Sequence, residues 1–294
     1  MQFSFCEVDG IAVVAVLHGA TWHRLDQLGL PFAVGVEAMA ALTIEHRAAI
    51  TKRLADHAGP ILDLNETKLL PPIAPHARIF CVGLNYADHA DESKMEKPAF
   101  PVVFLRTYDS FVGHGQPLVL PALSQAFDFE GEMVAILGSG GRYIDVADAV
   151  HHVAGYSVSN EGSIRDYQLK KGPQWTMGKN FVQSGSIGPV FITADVLPPL
   201  GKGLKITTRL NGETVQSSNT ANMIFDVAQI IAYLSEAFLL KSGDVIVTGT
   251  PSGVGAARTP QLFMRDGDVV EVEVDQIGIV GNRVVQEIHA ARSN

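Results

Sequence analysis

Two glutamates, Glu130 and Glu132, stand two residues apart in Phe127-Asp128-Phe129-Glu130-Gly131-Glu132-Met133-Val134-Ala135-Ile136-Leu137. The stretch reads as a strand, in which side chains two apart point to one face. Glu130 and Glu132 then share a face with Val134 and Ile136, while Phe129, Met133, Ala135 and Leu137 line the other. Both faces turn apolar, which predicts a buried strand. Two like charges on a buried face repel each other and are costly to desolvate. A divalent cation resolves both problems, and oxygen-only ligands suit Mg²⁺, Mn²⁺ or Ca²⁺ rather than zinc. For E-x-E alone, a solvated strand end is the simpler alternative. Further along, Gly155 to Gln168 reads as a strand running into a polar turn. There Glu161 is a candidate third carboxylate, Arg165 a cation and Gln168 a neutral donor, although the segment alone reads more simply as an ordinary turn with an ion pair.

A second constellation lies upstream, in Gly83-Leu84-Asn85-Tyr86-Ala87-Asp88-His89-Ala90-Asp91-Glu92. His89 and Glu92 are three apart, hence neighbours on one helical turn. A carboxylate beside an imidazole raises its basicity and fixes its tautomer, as a general base requires. The competing reading is a polar loop with an exposed histidine. Gly178-Lys179-Asn180-Phe181 lacks the spaced glycine and the Ser/Thr of a phosphate loop. Gly249-Thr250-Pro251-Ser252-Gly253-Val254-Gly255 is no nucleotide motif either, but its backbone N–H groups and hydroxyls suit a carboxylate or an oxyanion.

These residues need elements to hold them. Residues 3–8 and 11–17 read as strands joined at Asp9-Gly10. A helix is expected over about 36–56, with Met39, Leu42, His46, Ile50 and Leu54 at helical spacing. Leu70 to Pro75 holds three prolines and reads as a stiff link, which predicts a small domain at 1–72 and a larger one at 73–294. Beyond it, strands are expected at 78–83, 101–106, 127–137 and 244–249, and a hairpin at Asn211-Gly212. Val270, Val272 and Val274 alternate with glutamates as in a half-buried strand, and helices are expected near 145–153 and 224–240. The alternation is too irregular for a doubly wound sheet and predicts a β-rich roll or barrel.

The 294 residues carry 22 Lys+Arg against 31 Asp+Glu, a net charge of −9. That argues against nucleic acid, whose phosphates are met by Lys and Arg, and against an anionic membrane surface. Cys6 and Cys81 stand far apart and read as buried free thiols in a reducing compartment. No apolar run reaches the ~18 residues of a membrane span, and the N-terminus does not read as a signal peptide, so a cytoplasmic protein is expected.

Taken in order, these segments resemble the fumarylacetoacetate hydrolase superfamily, including its acylpyruvase-like and 2-hydroxyhepta-2,4-diene-1,7-dioate isomerase-like members. The similar pieces are V-G-L-N-Y-A-D-H-A-D-E at 82–92, F-L-R-T-Y-D-S-F-V-G at 104–113 and F-D-F-E-G-E at 127–132. They continue with G-Y-S-V-S-N-E-G-S-I-R-D at 155–166, G-K-N-F at 178–181, L-N-G-E at 210–213 and G-D-V-I-V-T-G-T-P-S-G-V-G at 243–255. The resemblance implies an α+β, mainly β fold: a mixed β-sandwich roll with a small N-terminal α/β domain, usually as a homodimer. It implies a divalent metal, Mg²⁺ or Mn²⁺ with Ca²⁺ as an alternative, held by Glu130, Glu132 and Glu161. The family has Asp at the third position, so Glu161 is a departure. His89 and Glu92 resemble the catalytic dyad on a mobile lid, and Lys179 a catalytic group. Gln168 and Thr250 resemble substrate- and oxyanion-binding groups, and Arg165 or Arg106 would offset a substrate carboxylate. Arg106 stands where many members have Lys, which keeps the charge and alters its geometry.

The implied activity is metal-dependent hydrolysis of a C–C bond in a small β-diketo or acylpyruvate-type acid. Glu92 would orient His89 to activate water, and Lys179 and Gln168 would meet the oxyanion. The alternatives are an oxo-acid decarboxylase, isomerase or hydratase on the same metal site, and a non-catalytic ligand-binding homologue.

Overall fold

The computed structural model describes residues 1–56, 59–88 and 97–288. Its centre is one long mixed sheet. Ile61–Leu62, Thr21–Arg24, Ile11–His18, Gln2–Val8, Gly185–Thr193, Val153–Asn160, Gly131–Leu137, Val245–Val247, Ile79–Gly83 and Val102–Arg106 lie side by side in that order. A second sheet orders Glu213–Asn219, Lys205–Leu210, Val269–Val274, Gly278–Gln286 and Leu118–Leu120. The fold is therefore mainly β with few helices.

Gly131–Leu137 shows why the sheet is buried on both sides. Met133, Ala135 and Leu137 pack with Ile206, Val272 and Val274 of the second sheet and with Ile230, Ile231 and Leu234 of the helix Val227–Ala237. Val134 and Ile136 face the opposite way, onto Phe3, Phe5, Val245 and, further out, Ile50 and Leu54 of the helix Ile44–Asp56. The strand thus alternates between two cores, as its period-two pattern demands. Gln2–Val8 pairs antiparallel with Gly185–Thr193, Phe3 opposite Phe191, so the N-terminal strands extend the same sheet. The proline-rich link is packed, with Ile73 buried among Phe3, Phe5 and Ile79.

Both predicted hairpins form. Asp9 (φ 53°) and Gly10 (φ 77°) are left-handed, as are Asn211 (φ 53°) and Gly212 (φ 83°). Two successive positive φ angles match the twist of the flanking strands. The C-terminal helix begins at a capping box: Asp226 accepts from the Gln229 N–H, and the Gln229 side chain accepts from the Asp226 N–H.

Four expectations are corrected. The helix expected over 36–56 starts only at Ile44, because the Thr43 hydroxyl accepts from the His46 N–H and caps it there. Met39 and Leu42 are still buried, from a 3₁₀ turn and a loop. The region 145–153 forms a 3₁₀ turn, Ala149–His152, followed by strand. The strand expected over 127–137 is two, Phe127–Asp128 and Gly131–Leu137. Finally, the polar turn after Ile164 is a short helix, Arg165–Lys170. Among the described residues no helix is long and apolar enough to cross a membrane.

Candidate metal centre

The break in the 127–137 stretch builds the site. The Glu130 N–H donates to Oδ1 of Asn160 (3.0 Å) and the Gly131 N–H to Oε1 of Gln216 (2.9 Å). Side-chain acceptors thus replace a neighbouring strand, and the strand is interrupted at Phe129 and Glu130. Gly131 resumes the ladder opposite Asn160, and Glu132 follows opposite Ser159. That register brings Glu161, just past the end of Val153–Asn160, beside Glu130, whose carbonyl accepts from its N–H at 2.8 Å. Glu130, Glu132 and Glu161 are all buried, and one oxygen from each lies within 4.8 Å of the others.

Each carboxylate has at least one oxygen engaged by the surrounding protein. Oε1 of Glu161 accepts from Nη1 of Arg106 at 2.7 Å. Oε1 of Glu130 lies 2.7 Å from Nη2 of Arg165 in an ion pair. Oε2 of Glu132 accepts from the Gly249 N–H. Gly249 has φ 103°, and a Cβ there would lie 2.6 Å from Cβ of Asn85, so only glycine brings this N–H to the carboxylate. Oε2 of Glu130 and Oε2 of Glu161 share the Lys179 ammonium, at 2.6 Å each.

The electrostatics are those of a crowded buried cluster. Burial pushes Glu132 far above the usual carboxylate range, and the charges of Glu161 and Glu130 add to the push. Burial also raises Glu161, to about 7, against the pull of Lys179 and Arg106. For Glu130 burial acts upward too, but Lys179 and Arg165 outweigh it and its pKa falls. Lys179 is disfavoured by burial, yet Glu130 and Glu161 more than compensate and hold it protonated.

Of the residues singled out in the sequence, Glu130, Glu132, Glu161, Arg165, Gln168, Lys179 and Thr250 line one cavity of about 450 Å³. Arg165 and Gln168 sit a turn apart on the helix Arg165–Lys170, and Nη1 of Arg165 donates to Oε1 of Gln168 at 2.8 Å. The Thr250 hydroxyl donates to the Gly131 carbonyl and accepts from Nε2 of Gln216. Phe104 and Trp175 supply an apolar wall, their rings edge to face at 5.5 Å.

Arg106 is placed differently. Nε donates to the Ser110 hydroxyl, Nη1 to Glu161 and the Gly162 carbonyl, and Nη2 to the Ser110 carbonyl and the Ser184 hydroxyl. Those are all five of its N–H groups. Its guanidinium is buried over the Phe111 ring and lies behind Glu161, off the cavity wall. His89 and Glu92 lie outside the described residues.

Asp128 was not singled out in the sequence, and it ties the site together. It is fully buried. Oδ1 accepts from the N–H groups of Phe129 (2.9 Å) and Gly255 (2.7 Å), and Oδ2 from the Ala256 N–H (2.9 Å) and Nε of Arg165 (2.7 Å). One carboxylate therefore fixes both the 249–257 loop and the guanidinium beside Glu130. The signal was a carboxylate between two phenylalanines, two residues before Glu130.

Three buried, oxygen-only donors, each with one oxygen anchored by Arg106, Arg165 or the Gly249 N–H, fit a hard divalent cation. The sequence pattern of the family described as "Fumarylacetoacetate (FAA) hydrolase C-terminal" matches residues 78–285. A mitochondrial oxaloacetate tautomerase of Rattus norvegicus is 37% identical over 241 residues, 82% of this chain and 77% of the relative. Its Homo sapiens counterpart is 39% identical over 243 residues, again 82% and 77%. Among solved structures, a fumarylacetoacetate hydrolase from Exiguobacterium antarcticum aligns with TM-score 0.83 and 33% identity over 98% of this chain and 100% of that one. A 2-hydroxyhepta-2,4-diene-1,7-dioate isomerase from Mycobacterium marinum aligns with TM-score 0.76 and 29% identity over the same shares. The chain belongs to the fumarylacetoacetate hydrolase family.

Proposed function

We propose that this chain is a divalent-metal-dependent enzyme of small 2-oxo acids that interconverts keto and enol forms. The observation that carries the reading is the convergence of three buried carboxylates, Lys179 and Arg165 on one cavity. Glu130, Glu132 and Glu161 would hold the ion, and their hard oxygen set suits Mg²⁺ or Mn²⁺. When bound, the metal supplies Lewis acidity and offsets the charge of an enolate. Arg165, anchored by Asp128 and Gln168, stands beside Glu130 to receive a substrate carboxylate. The Lys179 ammonium, kept protonated by its neighbours, donates a hydrogen bond to the developing oxyanion. Thr250 and Gln168 complete the polar wall.

C–C bond hydrolysis of an acylpyruvate-type acid is the second reading. The H-x-x-E pair His89 and Glu92 favours it, since a base that activates water is what hydrolysis adds to enolisation. The relatives support both, being named tautomerases, isomerases and hydrolases. The free, buried thiols of Cys6 and Cys81 support a reducing setting such as the cytoplasm.

The test offers oxaloacetate and an acylpyruvate to the Mg²⁺- or Mn²⁺-loaded protein. Enol absorbance and the release of pyruvate are followed. Accelerated keto–enol exchange without cleavage supports the first reading, and acid plus pyruvate from the acylpyruvate supports the second. No metal-dependent change with either compound refutes both.

A further inference from the structure

We propose that Lys179 is the centre's own counter-ion: its ammonium holds the cation's place in the metal-free protein and swings into the cavity when the metal binds. The inference rests on the metal reading above and concerns how the site is kept ready. The Lys179 ammonium lies 2.6 Å from Oε2 of Glu130 and 2.6 Å from Oε2 of Glu161. These are the oxygens of those two glutamates that Arg165 and Arg106 leave untied. Two of the three prospective ligands therefore already share a cation. A divalent ion on the same oxygens would sit at about 2.0–2.6 Å from them. Two cations on the same two oxygens repel each other strongly where little water screens them, which favours release of the ammonium.

The surroundings show how the exchange would run. Lys179 ends the short helix Thr176–Lys179, and a Cβ on Gly178 would lie 2.4 Å from the Gln168 nitrogen. The two helices thus touch through backbone, so a displacement of the ammonium would fall to the side chain. Its nitrogen is 5.0 Å from the centroid of Phe104, a cavity-lining ring. That face is already within cation–π range and would continue to stabilise an ammonium that moves along it. From there Lys179 faces the space where a substrate oxygen would lie. The metal must then bind before the 2-oxo acid, since only the metal releases the ammonium toward it.

The experiment compares wild type with Lys179→Met and Lys179→Gln as full-length, metal-free proteins. Mn²⁺ affinity is read by titration calorimetry, and melting temperature is followed with and without Mn²⁺. The metal-free variants should melt lower, because three buried carboxylates lose a counter-charge. They should bind Mn²⁺ at least tenfold more tightly, about 1.4 kcal/mol, because no ammonium has to be displaced. Equal or weaker binding overturns the counter-ion role and leaves the metal reading standing. Absence of Mn²⁺ binding in wild type and variants alike overturns both. A crystal structure of wild type with Mn²⁺ decides the matter even if the variants do not fold. A Lys179 ammonium that has left at least one glutamate supports the proposal, and one still bridging Glu130 and Glu161 refutes it.

Discussion

Asp128→Asn is the substitution that most directly probes how the site is held. The change keeps the shape and replaces one acceptor oxygen by an NH₂ group. Oδ1 now serves the N–H groups of Phe129 and Gly255, and Oδ2 serves Ala256 and Arg165. Whichever way the amide turns, one pair of buried donors faces another donor. Leaving a buried donor unpaired costs about 1–3 kcal/mol, and breaking a buried ion pair by removing one partner costs about 3–5 kcal/mol. Arg165 keeps Glu130, which moderates the loss. A total of about 3–5 kcal/mol is expected, or roughly 6–10 °C at about 2 °C per kcal/mol for a chain this long. Calorimetric melting of the metal-free protein measures it, with exposed Asp275→Asn as a control expected within about 0.5 kcal/mol. A loss below 2 °C would refute the claim that Asp128 holds the site together. Stability lost with no rise in the KM of a 2-oxo acid would refute its role in aiming Arg165.

Three further outcomes follow from the same geometry. Glu132→Ala should remove the rise in melting temperature that Mg²⁺ or Mn²⁺ produces, because ligands bound only by the native state raise it; an undiminished rise would remove Glu132 from the ligand set. Glu161→Asp shortens the side chain by one methylene, about 1.5 Å. Aspartate then reaches Arg106 or the cation but not both, so Mn²⁺ affinity should fall about tenfold or more, and unchanged affinity in calorimetry would show that the length is immaterial. His89→Ala should leave Mn²⁺ affinity unchanged and cut acylpyruvate cleavage by about 10²-fold; full cleavage in the variant would exclude it as the general base.

What the sequence made legible was whatever local pattern determines. The Asp9-Gly10 and Asn211-Gly212 hairpins follow from positive φ angles that few residue pairs tolerate. The two-faced burial of Gly131–Leu137 follows from alternation, and the seven cavity-lining residues came from motifs read in order. Long-range partners were not legible. The break at Glu130 depends on Asn160 and Gln216, 30 and 85 residues further along. Nothing in the 127–137 stretch announces them, so it read as one strand. Arg106 looked like a substrate-binding cation because its charge is visible in the sequence and its five acceptors are not. Asp128 is silent in the sequence for the same reason, since its partners come from the 249–257 loop and the helix at Arg165.

The charge balance of the site changes the force of the first inference. From the sequence, two glutamates on a buried strand demand a cation, and a divalent metal was the natural candidate. The structure supplies cations from the chain itself. Glu130, Glu132, Glu161 and Asp128 bring four carboxyl groups, and Lys179, Arg165 and Arg106 bring three permanent or near-permanent positive charges to them. Burial of like charges is therefore not, by itself, the reason a metal is required. The stronger reason is geometric. Arg106, Arg165 and the Gly249 N–H each take one oxygen of a different glutamate, and the three carboxylates each bring an oxygen within 4.8 Å of the others. Arrangements that served only to neutralise charge would have no need to divide the oxygens in this way. The division is what a ligand set needs, because it fixes each carboxylate through one oxygen and leaves the second oxygen of Glu130 and Glu161 to Lys179 or to an ion. It also explains why Lys179 is the side chain that spans two of those oxygens. Its single charged group on a flexible stem can leave, whereas a planar guanidinium tied by five donors, as at Arg106, cannot.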